Sequence, residues 1–300
     1  MVSRLVSLPI LPAQFIGTRF GKYVSESFTK EAVENSRNYL TNNLNYEEVT
    51  IPTKDRVKLN GMLFKKQIEN DNRSRISKFF LKLFNINEIF QKSKVWINFN
   101  GNGMCYEFLD PKQIKKIQKL GFDFLAFNYR SVVKSEGKPS QKGLIEDGKA
   151  IIKYANTLGY DDLYIHGHSL GGAISTKAVA QLKDESPIIY KKVKLIVDRT
   201  FSSIKAVLKT FNIFRLIKWI VIKILNFSNW NIKVKKDWEK IDIEKCLFYA
   251  PNDEMIKEKS ALFRKVKNTT DKNKLVELEN YEHRNNLTID DMKKAISIVG

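Results

Sequence analysis

The apolar positions of this chain follow two rhythms. Tyr46 to Ile51 and Val57 to Phe64 alternate apolar and polar residues, with Pro52-Thr53-Lys54-Asp55 between them, which predicts an antiparallel hairpin. From Val95 onward, short apolar runs alternate with stretches whose apolar residues recur at helical spacing. The runs are Val95–Phe99, Phe122–Asn128, Leu163–His166, Val193–Asp198, Cys246–Ala250 and Lys274–Leu278. Helices are expected near Pro111–Leu120, Gly143–Leu158, Gly172–Leu182, Lys257–Lys267 and Thr288–Ile298. Strict strand–helix alternation predicts a mostly parallel central sheet with helices on both faces, an α/β fold.

Three segments stand outside that alternation. Residues 1–45 read as an N-terminal arm followed by a polar helix over Phe28–Leu44, ahead of one domain spanning 46–300. Residues 65–93 are longer than a strand connection needs. Within them, Arg75, Lys78 and Lys82 share one helical face, while Ile76, Phe79, Phe80 and Leu83 share another. Residues 201–240 form the second insertion, read as a helical cap, with helix expected from Phe201 to Asn231. Projected at ~100° per residue, Ile213, Phe214, Ile217, Ile220, Val221, Ile224 and Leu225 fall on one arc. Lys205, Lys209, Arg215, Lys218 and Lys223 fall opposite, and these charges break the apolar run too often for a bilayer span.

Candidate chemistry is concentrated at Leu163-Tyr164-Ile165-His166-Gly167-His168-Ser169-Leu170-Gly171-Gly172. A strand that turns at once into a helix, with serine at the turn and glycine two residues to either side, is the nucleophile-elbow pattern. Side chains at Gly167 and Gly171 would collide with the neighbouring strand and helix. The strained turn holds Ser169 Oγ at a helix N-terminus, where amides and the helix dipole favour negative charge. A serine needs a base, and the chain has three histidines. His166 and His168 lie within the elbow and bracket the serine along the backbone, leaving His283 as the candidate base. It follows the apolar run Leu275, Val276, Leu278 and precedes a helical pattern. An orienting carboxylate is expected between serine and histidine in chain order. Asp253, in the turn Pro251-Asn252-Asp253-Glu254 after a strand, is the first candidate, with Glu254 and Asp198 as competitors.

Two further motifs carry a resemblance. Asn98-Phe99-Asn100-Gly101-Asn102-Gly103 is similar to the His-Gly-Asn-Gly oxyanion loop of α/β-hydrolases, and Asn128-Tyr129-Arg130-Ser131 resembles their Asp-Tyr-Arg-Gly. With the elbow, these make the chain resemble an α/β-hydrolase from about Tyr46 to its C-terminus. The resemblance implies an oxyanion hole formed by the backbone amides of Asn102 and Leu170. Asn100 stands where histidine is usual, and Ser131 where glycine is. The Asn-Gly-Asn-Gly wording and Asp198-Arg199-Thr200-Phe201-Ser202-Ser203 resemble bacterial hydrolases related to protein depalmitoylases and prolyl-peptidase-like enzymes, including a chlamydial 43 kDa-type family.

Composition adds three points. Three hundred residues with 43% apolar content suffice for one large core. Cys105 and Cys246 give no disulfide spacing, which suits a reducing compartment. The net charge of +19 favours anionic surfaces, although an AT-rich genome yields the same lysine bias without selection for binding. Zinc-ligand spacings, phosphate loops and aromatic RNA-binding motifs do not occur, so neither metal nor cofactor nor nucleic acid is expected. Pro9 and Pro12 interrupt the N-terminal apolar run, so no signal peptide is read and a cytoplasmic or peripheral-membrane location is expected. The expected function is a serine hydrolase, esterase- or thioesterase-like, acting on an acylated small molecule, lipid or acyl-protein. A peptidase of short peptides is the neighbouring enzymatic reading. A membrane- or partner-binding module with negligible turnover is the non-enzymatic one.

Overall fold

Alternation at the start of the domain becomes pairing: Glu47–Pro52 (β1) and Lys58–Phe64 (β2) lie antiparallel with Thr50 opposite Asn60. The computed structural model describes residues 30–66, 93–211, 215–227 and 229–300. β2 also pairs antiparallel with Asp123–Phe127 (β4), and every pairing beyond it is parallel. The remaining strands are Lys94–Phe99 (β3), Asp162–His168 (β5), Val193–Asp198 (β6), Lys245–Tyr249 (β7) and Leu275–Glu277 (β8). They form one sheet in the order β1-β2-β4-β3-β5-β6-β7-β8. The mostly parallel α/β sheet expected from the sequence is therefore present, with all six parallel strands at or within two residues of their expected limits.

Strand alternation sorts side chains between two cores. Val95, Ile97 and Phe99 of β3 and Leu163 and Ile165 of β5 face one core, while Trp96 and Tyr164 face the other. Gln141–Thr157 (α3) and Leu170–Glu185 (α4) close the first face through Leu144, Ile151, Ala173, Ile174 and Ala178. Lys30–Asn43 (α1), Pro111–Lys119 (α2) and Ile289–Val299 (α10) close the second through Leu40, Ile114, Ile117, Met292 and Ala295. Helix starts follow their caps. Asp110 accepts from the Lys112 amide ahead of Pro111 at the first helical position, Ser140 accepts from Gly143, and Thr288 and Asp291 form a reciprocal capping box.

Arg130 ties the hairpin to the sheet. Its guanidinium bonds Asp55 in the β1–β2 turn at 2.7 and 3.0 Å and the fully buried Asp147 of α3 at 2.8 and 2.9 Å. Hydrogen bonding to Arg130 pulls the Asp55 carboxyl down to about 2. Glycine in the first turn of α3 leaves room for this guanidinium, because a Cβ on Gly143 would sit 2.4 Å from Arg130 Nη1. Ser131, standing where a glycine is usual, adopts that residue's left-handed conformation at φ 68°.

The second insertion departs from expectation. Phe201 to Asn231 is not one helix. Phe201 bridges Ala261 and Ser203 bridges Lys233, so the chain stays extended until Ser203 caps Ile204–Thr210 (α6). Phe211 is again extended, and Arg215–Phe227 (α7) follows. Pro187–Lys191 (α5) and Lys235–Lys240 (α8) were not anticipated. Trp230, Ile232, Val234 and Trp238 are buried in the first core, and Lys177 of α4 bonds Asp237 of α8 at 2.6 Å, so residues 230–240 pack on the body. The expected helix Lys257–Lys267 shortens to Leu262–Val266 (α9), because Ala261 is extended to meet Phe201. The N-terminal arm before Lys30 and the basic segment Arg75–Phe84 lie outside the described residues. Among the described residues, no helix is long and apolar enough to cross a membrane.

Candidate active site

β5 runs into α4 without a spacer, and the turn between them carries Ser169 at φ 53°, ψ −116°. A non-glycine residue rarely adopts such a backbone, and here the surroundings enforce it. A Cβ on Gly167 would lie 2.5 Å from Ser175 Oγ, and one on Gly171 only 2.0 Å from the Phe99 carbonyl oxygen. Both flanking glycines are thus required by close approach, as the sequence reading anticipates. Ser169 occupies the N-cap position of α4 but makes no capping bond through its hydroxyl. That hydroxyl instead lies 2.9 Å from His283 Nε2.

His283 follows β8 and Leu278, on the loop leading to α10. Its Nδ1 is 2.8 Å from Asp253 Oδ2. Asp253 follows β7, and its Oδ1 accepts the Met255 and Ile256 amides at 2.9 and 2.6 Å. Burial alone would raise the Asp253 carboxyl, but the bonds to His283 and the two amides outweigh it and hold the group below the usual carboxylate value. Ser169, Asp253 and His283 are all buried, within a continuous hydrogen-bonded chain. All three residues follow parallel strands and meet at the carboxyl edge of the sheet, where open α/β sheets bind ligands.

The competing carboxylates do other work. Glu254 accepts the backbone N–H of His283 at 2.9 Å, fixing the loop rather than the ring. Asp198, at the buried end of β6, pairs with its neighbour Arg199 at 2.7 and 2.8 Å. Burial would raise this carboxyl, yet the Arg199 charge and hydrogen bonds keep it well below its ordinary value. Arg199 then donates to the carbonyls of Glu282 (2.6 Å) and Asn285 (2.7 Å), straddling His283. The sequence reading quoted Arg199 only within a motif; a charged pair at the inner end of an apolar strand was the available signal.

Neither elbow histidine bonds Ser169 Oγ. His168 Nδ1 faces Asp198 Oδ2 at 3.1 Å, and burial pushes its pKa down. His166 Nδ1 lies 3.3 Å from Asn98 Oδ1. Asn98 donates to Asn100 Oδ1 at 2.8 Å, and Asn100 donates to the Phe127 carbonyl at 3.2 Å. Asn100, in place of the usual histidine, thus anchors its loop to β4. A Cβ on Gly101 would be 3.7 Å from Ser169 Cβ, so the loop carrying Asn102 runs alongside the serine. Leu170 is the first residue of α4. A cleft of about 280 Å³ opens behind Asp253, lined in part by Arg199, Tyr249, Ile256 and Phe263; neither Ser169 nor His283 lines it.

A family model described as Chlamydia CHLPS protein (DUF818) matches residues 39–295. The α/β hydrolase domain-containing protein WAV2 of Arabidopsis thaliana is 32% identical over 139 residues, 42% of this chain and 40% of that protein. Lysophosphatidylserine lipase ABHD12 of Danio rerio is 37% identical over 71 residues, 23% of this chain and 19% of that protein. The chain spans less than half the length of the curated relatives it matches. Among solved structures, an α/β hydrolase from Vibrio vulnificus superposes with a TM-score of 0.60 at 20% identity, covering 94% of this chain and 87% of that one. An esterase of Pyrococcus furiosus gives 0.58 at 16% identity, covering 87% and 90%. At such identities the structures share the fold. With the family match running from within α1 to within α10, the chain belongs to the Chlamydia CHLPS (DUF818) family, built on the α/β-hydrolase fold.

Proposed function

We propose that the protein is a serine hydrolase of carboxylic esters or thioesters bearing an acyl chain. The observation that carries the reading is the chain Ser169 Oγ, His283 Nε2, His283 Nδ1, Asp253 Oδ2, with links of 2.9 and 2.8 Å. Ser169 Oγ attacks the acyl carbonyl carbon while its proton passes to His283 Nε2. Asp253 holds Nδ1–H and stabilises the imidazolium. The amides of Asn102 and Leu170 are assigned to the oxyanion. Collapse of the tetrahedral intermediate expels the alkoxide or thiolate, which takes the proton from His283, and leaves Ser169 acylated. Water, deprotonated by His283, then releases the carboxylic acid and restores the serine.

The names of the relatives support an acyl ester among the possible bonds. ABHD12 is called a lysophosphatidylserine lipase, and the Pyrococcus structure an esterase. The substrate class to test is accordingly an acylated small molecule, a lysolipid or an acyl-protein. A fluorophosphonate should label Ser169 in the intact protein and leave Ser169→Ala unlabelled. Hydrolysis of p-nitrophenyl esters of increasing chain length should depend on the same residue. Labelling that persists in Ser169→Ala, or no turnover of any ester or thioester, would overturn the reading.

A further inference from the structure

Helix α7 carries four large apolar residues on its outer face. Leu216, Trp219, Ile220 and Phe227 are 58, 55, 43 and 85% exposed, while Leu225 on the opposite side is buried. Positions 216, 219, 220, 223 and 227 recur at helical spacing and share an arc of about 100°. They form one outward stripe with Lys223 inside it, its ammonium 4.6 Å from the centre of the Trp219 ring. The sequence projection puts Ile220 on one arc with Leu225 and Lys223 opposite them; in the structure Ile220 and Lys223 share the exposed stripe and Leu225 is buried on the other side, because period alone does not say which side packs.

Along the chain on either side of α7 the charge has one sign. Residues 200–236 contain eight lysines and arginines and no aspartate or glutamate. We infer that the outer face of α7 docks on an anionic lipid bilayer, lying in the plane of the headgroups. A stripe of Leu, Trp, Ile and Phe with a lysine able to snorkel beside the tryptophan suits an interface that is apolar below and anionic above. At 13 residues the helix is about 20 Å long, too short for a hydrocarbon core of about 30 Å, and fits the interface plane. A second copy of the chain is the poorer occupant. A two-fold contact through this stripe would set Lys223 near its own symmetry mate, within a segment holding no acid to balance it. The inference goes beyond hydrolysis, since docking requires no turnover.

The other three tryptophans, Trp96, Trp230 and Trp238, are fully buried, so a change of emission on binding reports Trp219. The experiment mixes the full-length Ser169→Ala protein, which is expected not to consume lipid, with vesicles of phosphatidylcholine alone or with phosphatidylglycerol. Anionic vesicles should sediment the protein and shift its emission to the blue, and salt should weaken both effects. Trp219→Phe should still sediment but lose the shift. Ile220→Asp/Phe227→Asp and, separately, Lys223→Glu should each lower partitioning about tenfold or more while keeping the wild-type thermal midpoint. Equal binding to pure phosphatidylcholine would overturn the inference, as would undiminished sedimentation of the double variant. So would the failure of anionic vesicles to shift the emission at low salt. A concentration-dependent dimer abolished by the double variant would assign the stripe to a second copy instead. Because binding is read without turnover, its failure leaves the serine-hydrolase reading to its own tests.

Discussion

Replacing Arg199 by methionine removes the cation around which the end of β6 is built. Asp198 is 1% exposed, and its ionised state survives burial through the charge and two bonds of Arg199. In Arg199→Met that carboxylate keeps His168 Nδ1 at 3.1 Å and, more distantly, His166 Nε2 at 3.8 Å. Removing one side of a buried pair costs about 3–5 kcal/mol, a large part of a total of about 5–15 kcal/mol. The carbonyls of Glu282 and Asn285 also lose their donors, but they lie in a part-buried loop where water can replace them, adding about 1 kcal/mol or less. The urea midpoint should therefore fall by the equivalent of about 4 kcal/mol. Asp198→Asn/Arg199→Met, which leaves no stranded charge, should recover about half of that. The pH dependence has a definite sign. In the wild type the depressed Asp198 pKa contributes stability above the unfolded value of about 3.9 and loses it as pH falls through the folded value. In Arg199→Met burial is opposed only by the neighbouring His166 and His168, so the folded pKa rises and the stability gained above the unfolded value is lost; the deficit is therefore greatest near neutral pH and shrinks on acidification. With the His283 loop released, kcat should fall about 10²-fold, the scale of a displacement near 1 Å, with a smaller change in KM. Arg199→Lys should be intermediate, keeping the charge without the fork. A wild-type urea midpoint together with a wild-type fluorophosphonate labelling rate in Arg199→Met would refute the reasoning.

Other perturbations separate the remaining roles. Ser169→Ala and His283→Ala should each remove nearly all ester turnover, and the double variant should lose little more; additive losses in steady-state kinetics would break the assignment of one unit. Asp253→Asn should keep the wild-type melting curve while kcat falls on the order of 10³–10⁴-fold, whereas Asp198→Asn should show its main effect in the melt. The reverse pattern would make Asp198 the orienting acid. Gly171→Ala forces a Cβ to 2.0 Å from the Phe99 oxygen, and should lose about 3 kcal/mol or more in urea titration or fail to fold. An unaltered midpoint would mean the elbow is looser than its geometry states.

The sheet was legible because its strands are short apolar runs with clear punctuation. The elbow was legible because Gly167 and Gly171 admit no side chain. His283 and Asp253 could be put forward from chain order and strand ends; in the structure His283 Nε2 lies 2.9 Å from Ser169 Oγ and Asp253 Oδ2 lies 2.8 Å from His283 Nδ1. The second insertion was not legible. Apolar periodicity runs on through Phe211, where the backbone is extended, and the pairing of Phe201 with Ala261 depends on residues 60 positions apart. Arg199 was hidden for a related reason. A charged residue just past a strand reads as solvated until the burial of Asp198 beside it is known, and burial is a tertiary fact.

That pair belongs to a larger arrangement, because Asp198-Arg199-Thr200 hydrogen-bonds to the elbow of Ser169, to the strand that leads to Asp253 and to the loop of His283. The Ser169 amide donates to the Asp198 carbonyl at 2.9 Å, and Thr200 Oγ1 donates to the Ser169 carbonyl at 2.6 Å, so the strained elbow is held from both sides of one residue. The Arg199 amide donates to Phe248 of β7, the strand leading to Asp253, and its side chain holds the carbonyls flanking His283. The Thr200 carbonyl accepts from Leu262 at the start of α9. Nucleophile, acid and base come from loops about 30 to 114 residues apart in sequence, each contributing its own backbone freedom. A Ser–His–Asp chain needs its members within a few tenths of an ångström. The hydrogen bonds among the three side chains are too few to set that geometry, since each ends on a loop. The tripeptide at the end of β6 supplies the missing constraints from a rigid, central strand, and Arg199 adopts φ 42° to reach the base loop. A non-glycine residue held in that conformation is strained, and the strain persists because β6 and β7 fix the residue on one side and the His283 loop on the other.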